Sequence, residues 1–172
     1  KLAAYEITRN YREAYNMFAC SGIMFNHESP RRGSEFVTRK ISIGVAKIKL
    51  GLEKKISLGN INARRDWGYA VDYVEAMHKM LQNNTPDDFV IGTGKTYSVK
   101  DFLKLAFECL DLNYEKYLNI DESLYRPADV ESLVSDSSKA KKELDWQNKT
   151  SFSEIVELMV RSDYEYFKKN KI

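Results

Sequence analysis

The sequence predicts an α/β fold, because helical and strand-like segments alternate along its 172 residues. The helical segments place apolar residues at helical spacing, and the strand-like ones are short apolar runs without charge. Gly, Pro and polar residues separate the two kinds of segment. Hydrophobic residues make up 43% of the chain, which at this length can bury a sizeable core. We therefore expect one ordinary globular domain.

The first helix is predicted over residues 2–16. Its apolar residues, set between charged positions, are Leu2, Tyr5, Ile7, Tyr11 and Tyr15. Residues 18–25 carry no charge, which is typical of a strand covered on both faces of a parallel sheet. The polar residues 26–33 are predicted to be the loop that leaves the carboxyl end of this strand. Ligands bind at that end of open α/β sheets, so the loop is a candidate ligand site.

A second helix is predicted over residues 35–50 and a third over residues 71–81, with a strand at Ile56–Leu58 between them. The apolar stripe of the second helix is Val37, Ile41, Val45 and Ile48. The predicted buried side of the third helix is Val71, Val74, Ala76, Met77 and Leu81. Residues 89–91 form the next predicted strand.

Three further helices are predicted in the last part of the chain. Ser98 with Asp101, a weak variant of the capping box, opens a helix that runs to residue 110. Residues 137–144 form a short helix. Ser151 with Glu154 is a full capping box, and it opens the last helix, which ends near residue 167.

Composition excludes several classes of protein. The apolar content excludes a disordered chain, and two cysteines exclude a disulfide scaffold. No apolar run approaches the roughly 20 residues of a membrane helix, and residues 1–6 lack the features of a signal peptide. We therefore expect a cytoplasmic protein with no membrane partner. Since the sequence does not begin with Met, we also expect a fragment of a longer protein.

Positive charge is concentrated in residues 31–65, which carry a net charge of +8 against −6 for the rest of the chain. A domain that binds nucleic acid usually spreads a basic surface more widely, so we expect no nucleic-acid partner. The phosphates of a nucleotide would match this local charge. The alternative is that lysines such as Lys54 and Lys55 only keep a helix face soluble.

The sequence contains no catalytic motif that identifies a reaction by itself, such as a P-loop or a glycine-rich dinucleotide loop. Its two histidines and two cysteines are too far apart in sequence to suggest a metal site, so no metal is expected. Longer segments are more informative. They are NYREAY (residues 10–15), NHESPRRG (26–33), FVTRK (36–40), RDWG (65–68), PDDFVI (86–91), YRPA (125–128) and SKA (138–140).

In these segments, which extend over essentially the whole chain, the sequence resembles the GDP-mannose 4,6-dehydratase family of extended short-chain dehydrogenase/reductases. The pair NHESPRRG and FVTRK is specific to that family, whereas RDW and SKA are shared more widely among nucleotide-sugar enzymes. The resemblance implies the C-terminal half of a Rossmann-like NAD(P)-binding fold with a small substrate-binding α/β subdomain. Residues 1–34 would end the Rossmann domain. Residues 35–172 would be mainly the substrate-binding subdomain, with Rossmann elements returning near residues 56–92.

The resemblance implies a lyase for the complete protein. With bound NADP it would oxidise carbon 4 of GDP-mannose, eliminate water across carbons 5 and 6, and return the hydride to carbon 6. The N-terminal dinucleotide-binding half and the family's catalytic Tyr, Thr and Glu would be missing here, so we expect the isolated chain to be inactive. The complete protein is expected to be a homo-oligomer, a dimer or a tetramer. Two alternatives stay open: a related nucleotide-sugar reductase or epimerase, and a non-catalytic module that binds nucleotide sugars.

Three residues are implied to act on the cofactor NADP. Lys1 aligns with the Lys of the family's Tyr-x-x-x-Lys motif, where it would be catalytic and bind the nicotinamide ribose. His27 would contact the cofactor, and Arg32 would reach its phosphate. Without the resemblance, Lys1 reads as a frayed terminal residue and His27 as an ordinary surface histidine.

The resemblance assigns a second group of residues to GDP-mannose. They are Asn26, Val37, Lys40, Gly59, Asn60, Arg65, Arg126 and Asp129. The two arginines are the strongest candidates, because a guanidinium fork matches diphosphate oxygens. Asn26 is equally explained by an Asx turn and Gly59 by a plain turn, and the family usually has Glu in place of Asp129. Trp67 is expected in the core, and Asp72 is expected to be a helix N-cap rather than a catalyst.

Overall fold

Helices and strands alternate in the computed structural model, which describes residues 1–125, 128 and 130–170. The helices are α1 (Leu2–Tyr15), α2 (Val37–Lys49), α3 (Ala70–Gln82), α4 (Val99–Glu108), α5 (Ser138–Glu143) and α6 (Phe152–Asn170). The strands are β1 (Ser21–Met24), β2 (Asn26–Glu28), β3 (Ile56–Leu58), β4 (Arg64–Arg65), β5 (Trp67–Tyr69), β6 (Asp88–Ile91), β7 (Tyr97–Ser98) and β8 (Leu118–Ile120). The predicted α/β fold is confirmed.

Most strand pairs in the described residues are parallel. They are β1 with β6, β2 with β5, and β3 with β8, whereas β4 and β7 pair antiparallel. A parallel pair needs a long crossover connection, and each crossover here contains a helix. In the second pair Asn26 lies opposite Trp67 and Glu28 opposite Tyr69, so the carboxyl end of β2 is held beside the start of α3.

The larger core lies between α2, α4 and α6. Ile41 and Val45 of α2 are fully buried there, which confirms the predicted apolar stripe of this helix. Phe152, the first residue of α6, stacks on Tyr97 with ring centroids 3.8 Å apart. It also lies parallel to Trp67, with a centroid distance of 6.0 Å. The prediction that Trp67 belongs to the core is therefore confirmed.

Capping boxes fix the starts of α4 and α6. The amide of Asp101 donates to Ser98 Oγ at 3.0 Å, and the amide of Ser98 donates back to Asp101 Oδ2 at 2.8 Å. In α6 the amide of Glu154 donates to Ser151 Oγ at 3.3 Å, and Ser151 returns its amide to Glu154 Oε2 at 2.7 Å. Each box satisfies amides that the first helical turn leaves without partners, which confirms both predicted starts.

A smaller core lies between α3, α5 and β6, and here one sequence prediction is wrong. Of the five residues predicted to form the buried side of α3, only Ala76 is buried. The other four are exposed: Val71, Val74, Met77 and Leu81. The helix instead buries Asp72, Tyr73, Ala76 and Met80. The helix therefore has two adjacent apolar stripes, and the one that packs against the core is the one that includes Asp72.

Asp72 can be buried because its carboxylate accepts backbone hydrogen bonds. Asp72 Oδ2 accepts the backbone amides of Lys149 and Thr150 at 3.1 and 3.0 Å, and the backbone carbonyl of Asp72 accepts Trp146 Nε1 at 2.8 Å. The N-cap of α3 is Tyr69, so the prediction that Asp72 is an N-cap is wrong. These contacts fasten α3 to the segment that leads into α6.

The first strand and the loop after it also differ from prediction. β1 is four residues long rather than eight, and Ile23 within it is 48% exposed, so the expected coverage on both faces is wrong for this chain. The predicted loop at residues 26–33 begins with β2, which sequence periodicity missed because the polar triplet Asn26–Glu28 has no apolar alternation. Backbone pairing with β5, rather than side-chain pattern, makes it a strand.

Helix α1 has no buried residue, and an ion pair holds its C-terminal half. Arg12 Nη1 and Nη2 donate to the two carboxylate oxygens of Asp88 in β6 at 2.8 and 2.9 Å. This bidentate contact holds the pKa of Asp88 well below its usual range. Asn16 ends the helix in the left-handed conformation, with φ of 51°.

Candidate functional site

A cavity of about 380 Å³ opens where β2 ends and α2 begins. The turn after β3 and the segment around β4 complete its wall, together with Leu124 and Tyr125. Every predicted substrate-binding residue that the structure describes lines this cavity: Asn26, Val37, Lys40, Gly59, Asn60 and Arg65. Arg126 and Asp129 lie outside the described residues. Positions spread over forty residues of sequence are thus brought together by α2 and by two of the parallel strand pairs, β2 with β5 and β3 with β8.

The three predicted cofactor residues, Lys1, His27 and Arg32, do not all lie at the cavity. Arg32 lines the same cavity as Lys40, whereas Lys1 and His27 are not part of its wall. Lys1 is exposed and its carbonyl accepts the amide of Tyr5 at 3.0 Å, which starts α1. His27 faces α3, where its ring lies 5.3 Å from the ring of Tyr73. Arg32, predicted to contact the cofactor, and Lys40, predicted to contact the substrate, therefore line the same cavity.

His27 is oriented by a backbone contact. Its Nδ1 lies 2.9 Å from the carbonyl oxygen of Phe25, and because a carbonyl only accepts, this nitrogen carries the proton. Contact with a ligand would therefore go through Nε2. The neighbouring Tyr73 is fully buried, and burial raises the pKa of its hydroxyl. A Cβ at Gly68 would lie 2.4 Å from the Tyr73 ring, so glycine is required for this ring to pack beneath His27.

Arg65 is a cation of the cavity wall that contacts two backbone carbonyls. Its Nη1 donates to the carbonyl oxygens of Arg64 at 2.7 Å and Val130 at 2.6 Å. These two contacts orient the guanidinium in the cavity wall. A fixed, charged fork is suited to the oxygens of a diphosphate.

The segment that carries Arg65 is anchored by the buried carboxylate of Asp66. Its two oxygens accept hydrogen bonds from the amides of Thr93, Gly94 and Ser135 at 2.9 to 3.1 Å. They also accept the hydroxyls of Thr93 and Ser135, both at 2.6 Å. Five donors to one buried carboxylate tie β4 and β5 to two distant segments, and so fix Arg65 and Trp67 at the cavity wall.

Gly59 and Asn60 form the turn at the floor of the cavity. A Cβ at Gly59 would lie 2.9 Å from the backbone oxygen of Leu124, so the glycine lets that segment pack closely across the turn. The side chain of Asn60 accepts the amide of Asn62 at 3.0 Å. Close packing of the protein's own backbone is therefore a sufficient physical reason for Gly59, whether or not a ligand contacts it.

Sequence reasoning missed Glu28, although it lies in the NHESPRRG segment. Its side chain is 1% exposed and lines the cavity. Glu28 Oε2 accepts the hydroxyl of Thr38 at 2.6 Å and lies 3.5 Å from Arg32 Nε. Burial raises the pKa of the carboxyl. The available signal was an acid at the end of a strand and four residues before an arginine.

Arg32 is held between Glu28 and the ring of Phe36, whose centroid lies 3.6 Å from the guanidinium carbon. Arg32 Nε is buried, and among the described residues it has no acceptor in hydrogen-bonding geometry.

The described residues contain no group of three or more His, Cys, Asp or Glu that could hold a metal ion. Nor does the described chain include a helix long and apolar enough to span a membrane.

Comparison with known proteins identifies the family. Residues 1–159 match the family model described as GDP-mannose 4,6 dehydratase. The chain belongs to this family. It is 51% identical over 172 residues to GDP-mannose 4,6 dehydratase 2 of Arabidopsis thaliana, covering all of this chain and 46% of that protein. It is 47% identical over 188 residues to the Homo sapiens GDP-mannose 4,6 dehydratase, covering 99% of this chain and 50% of that protein.

The predicted family membership is thus confirmed, and the chain spans about half the length of the curated relatives it matches. Solved structures share its fold. RMD from Pseudomonas aeruginosa, complexed with NADPH, has a TM-score of 0.88 at 16% identity over 96% of this chain and 54% of its own. dTDP-glucose 4,6-dehydratase from Bacillus anthracis, in complex with NAD, has a TM-score of 0.78 at 19% identity over 98% of this chain and 50% of its own.

Proposed function

We propose that this chain is the sugar-nucleotide-binding part of a GDP-mannose 4,6-dehydratase. The complete protein would convert GDP-mannose to GDP-4-keto-6-deoxymannose. The observation that carries the proposal is the convergence of the six described substrate candidates on one cavity, in a chain about half identical to dehydratases of that name. The proposal includes a cytoplasmic location and a homo-oligomer for the complete protein.

The cavity residues have distinct parts in binding. Arg65, fixed by two carbonyls, would bind the diphosphate of GDP, and Lys40 would add a second positive charge. Asn26, at the start of β2, would donate from its amide to the sugar nucleotide. Arg126 and Asp129 would complete the GDP contacts. The cavity wall has three cations (Arg32, Lys40 and Arg65) and two acids (Glu28 and Glu35), and this excess of positive charge favours an anionic ligand over a neutral one.

We further propose NADP as the cofactor, for which nucleotide-bound structures of the same fold are the support. When bound, NADP would accept a hydride from the sugar and return it. The residues present fit such a group: the buried Nε of Arg32 could donate to a phosphate oxygen, and His27 could contact the ligand through Nε2. Lys1 would bind the ribose and stabilise the ionised tyrosine of the Tyr-x-x-x-Lys motif. Residues 1–34, with the elements near residues 56–92, would then belong to the dinucleotide-binding domain.

The test is to incubate the complete protein with GDP-mannose and to follow the product by mass spectrometry. We expect a product lighter by one water, and no turnover by the isolated chain. Arg65→Ala should weaken GDP-mannose binding by about 1.5 to 3 kcal/mol, as expected for hydrogen bonds to a charged group, with NADP binding unchanged. Arg64→Ala is the matched control, because Arg64 is exposed and its Nη2 donates to the backbone of Thr96.

The outcomes separate the candidate functions. Binding of GDP-mannose by the complete protein without turnover would favour the non-catalytic binding module. Turnover of UDP-glucose or dTDP-glucose in preference to GDP-mannose would favour a related nucleotide-sugar enzyme. Equal affinities for GDP-mannose in the Arg65→Ala and Arg64→Ala variants would remove Arg65 from the site.

A further inference from the structure

The carboxylate of Glu28 is the least exposed charged group in the cavity wall. It is 1% exposed, and it contacts two other wall residues on different elements. Thr38, in the first turn of α2, donates its hydroxyl at 2.6 Å, and Arg32, in the loop after β2, lies 3.5 Å away through Nε. One acid therefore links the strand end, the loop and the helix that together form this wall.

A buried carboxylate is costly to desolvate, and an apolar residue of similar volume is often neutral or stabilising in such a position. Stability of the fold alone therefore gives little reason for an acid at Glu28. Its contacts instead restrain a flexible cation. An arginine side chain loses rotamer entropy when it is ordered, and a ligand that has to order it therefore binds more weakly.

Arg32 is restrained but not saturated. Its guanidinium carbon lies 3.6 Å from the centre of the Phe36 ring on one side, and the Glu28 carboxylate is on another. Its buried Nε has no acceptor in hydrogen-bonding geometry within the described part of the chain. A donor held in place and left without an acceptor is suited to an oxygen atom that arrives with a ligand.

We propose that Glu28 is a positioning residue, which holds Arg32 against Phe36 so that the guanidinium is already ordered for the phosphate groups of a nucleotide ligand. That the ligand is a nucleotide rests on the proposed function. Two ligands carry the required diphosphate, GDP-mannose and NADP, and the experiment distinguishes them. Glu28 acts through Arg32 and has no contact of its own with the ligand.

The test uses the full-length protein and calorimetric titration with GDP-mannose and, separately, with NADP. Glu28→Gln keeps an oxygen for the Thr38 hydroxyl but removes the charge that restrains Arg32. Arg32→Met keeps an apolar stem over Phe36 but removes the guanidinium. We expect Glu28→Gln to raise the Kd about tenfold for the same ligand that Arg32→Met affects, and to leave the other ligand unchanged. In the double variant, Glu28→Gln should add no further loss, because there is no guanidinium left to position.

Asp163→Asn is the matched control. Asp163 is an equally buried acid that contacts one hydroxyl and one arginine, Ser42 and Arg39, but it lies in the larger core and not in the cavity wall. It should lower the melting temperature and leave both Kd values within twofold. A purely structural role for Glu28 predicts that Glu28→Gln behaves in the same way.

Three results would overturn the proposal: unchanged Kd values in Glu28→Gln, a loss that adds fully to that of Arg32→Met, or a loss for the ligand that Arg32→Met does not affect. If Glu28→Gln does not fold, Thr38→Val replaces it, since loss of the hydroxyl frees the carboxylate that restrains Arg32. Its expected loss is about threefold, and it should again vanish in the Arg32→Met background. Wild-type protein that binds neither ligand would overturn the proposed function as well, whereas normal wild-type binding with no coupling overturns the positioning role alone.

Discussion

Helix α2 contributes to two similar clusters, each made of a buried acid, a hydroxyl and an arginine, and only one of the two borders the cavity. In the cavity cluster Glu28 accepts the hydroxyl of Thr38 at 2.6 Å and lies near Arg32. In the core cluster Asp163 of α6 accepts the hydroxyl of Ser42 at 2.7 Å and a hydrogen bond from Arg39. Both acids are 1% exposed, and burial raises the pKa of both.

The two clusters differ in whether the arginine donates a hydrogen bond to the acid. Arg39 donates directly to Asp163, which fastens α2 to α6 across the larger core. The Nε of Arg32 lies 3.5 Å from Glu28 without hydrogen-bonding geometry, and Arg32 stacks on Phe36 instead. The same three kinds of side chain therefore stabilise the fold in one place and keep donor capacity for a ligand in the other.

The largest expected effect is at the core cluster. Asp163→Ala leaves the part-buried Arg39 without its carboxylate, and breaking a buried ion pair on one side typically costs about 3 to 5 kcal/mol. We expect a loss of that size in the free energy of unfolding, measured by urea titration of the complete protein. The matched control on the same helix is Glu157→Ala, whose exposed pair with Arg161 should contribute under about 1 kcal/mol. Equal losses in the free energy of unfolding of the two variants would show that the ion pair of the core cluster contributes no more stability than an exposed pair does.

The fold could be predicted where side-chain periodicity determines structure. The α2 stripe of Ile41, Val45 and Ile48 is apolar on one side only, so its buried face was predicted correctly. Helix α3 has apolar residues on two adjacent stripes, and the choice between them depends on amides of Lys149 and Thr150, more than seventy residues away, that make burial of Asp72 favourable. Periodicity contains no information on such distant partners.

The candidate site shows the same limit. The family motifs named Asn26, Lys40 and Arg65, and the fold brings them to one cavity although no local pattern relates them. Glu28 was missed because its significance depends on Thr38 ten residues later and on burial, neither of which is visible in the segment NHESPRRG. An acid in a polar loop segment is usually solvated, and only the pairing of β2 with β5 places this one inside.

Asp66 is a buried acid whose hydrogen bonds within the described residues include none from an arginine, so it separates the effect of burial from that of an ion pair. It is fully buried, and the five hydrogen bonds that described residues donate to it come from backbone amides and hydroxyls. Asp66→Asn replaces one acceptor oxygen by a donor, so at least two of the five donors lose their partner. We expect a loss of about 2 to 4 kcal/mol in urea titration, below that of Asp163→Ala.

Asp136→Asn is the control for this variant, because Asp136 is exposed in the neighbouring segment and its carboxylate accepts the amide of Ser138. It should cost under about 1 kcal/mol. A loss at Asp66→Asn as small as that of the control would mean that the five hydrogen bonds contribute little net stability. A loss larger than that of Asp163→Ala would mean that neutral donors stabilise a buried acid better than an arginine does.

The smallest expected effect is on the pH dependence of stability. It has opposite signs at Asp163, where burial dominates, and at Asp88, where the bidentate contact with Arg12 dominates. Burial raises the pKa of Asp163, so between the unfolded value near 3.9 and the higher folded pKa the native state binds more protons than the unfolded state. Stability from this group is therefore present at low pH and is lost as the pH rises through the folded pKa. Arg12 lowers the pKa of Asp88, so that contribution is present above about 3.9 and is lost as the pH falls.

Urea titrations of the wild type, Asp163→Asn and Asp88→Asn over a series from neutral to mildly acidic pH would test these signs. The stability of the wild type relative to Asp163→Asn should increase on acidification, by less than the limit of about 1.4 kcal/mol per pH unit set by one proton. Relative to Asp88→Asn it should stay constant and then decrease as the pH approaches 4. A difference between wild type and Asp163→Asn that decreases on acidification would mean that the ion pair with Arg39 outweighs burial, and that the two acid clusters on α2 differ in their electrostatics as well as in their geometry.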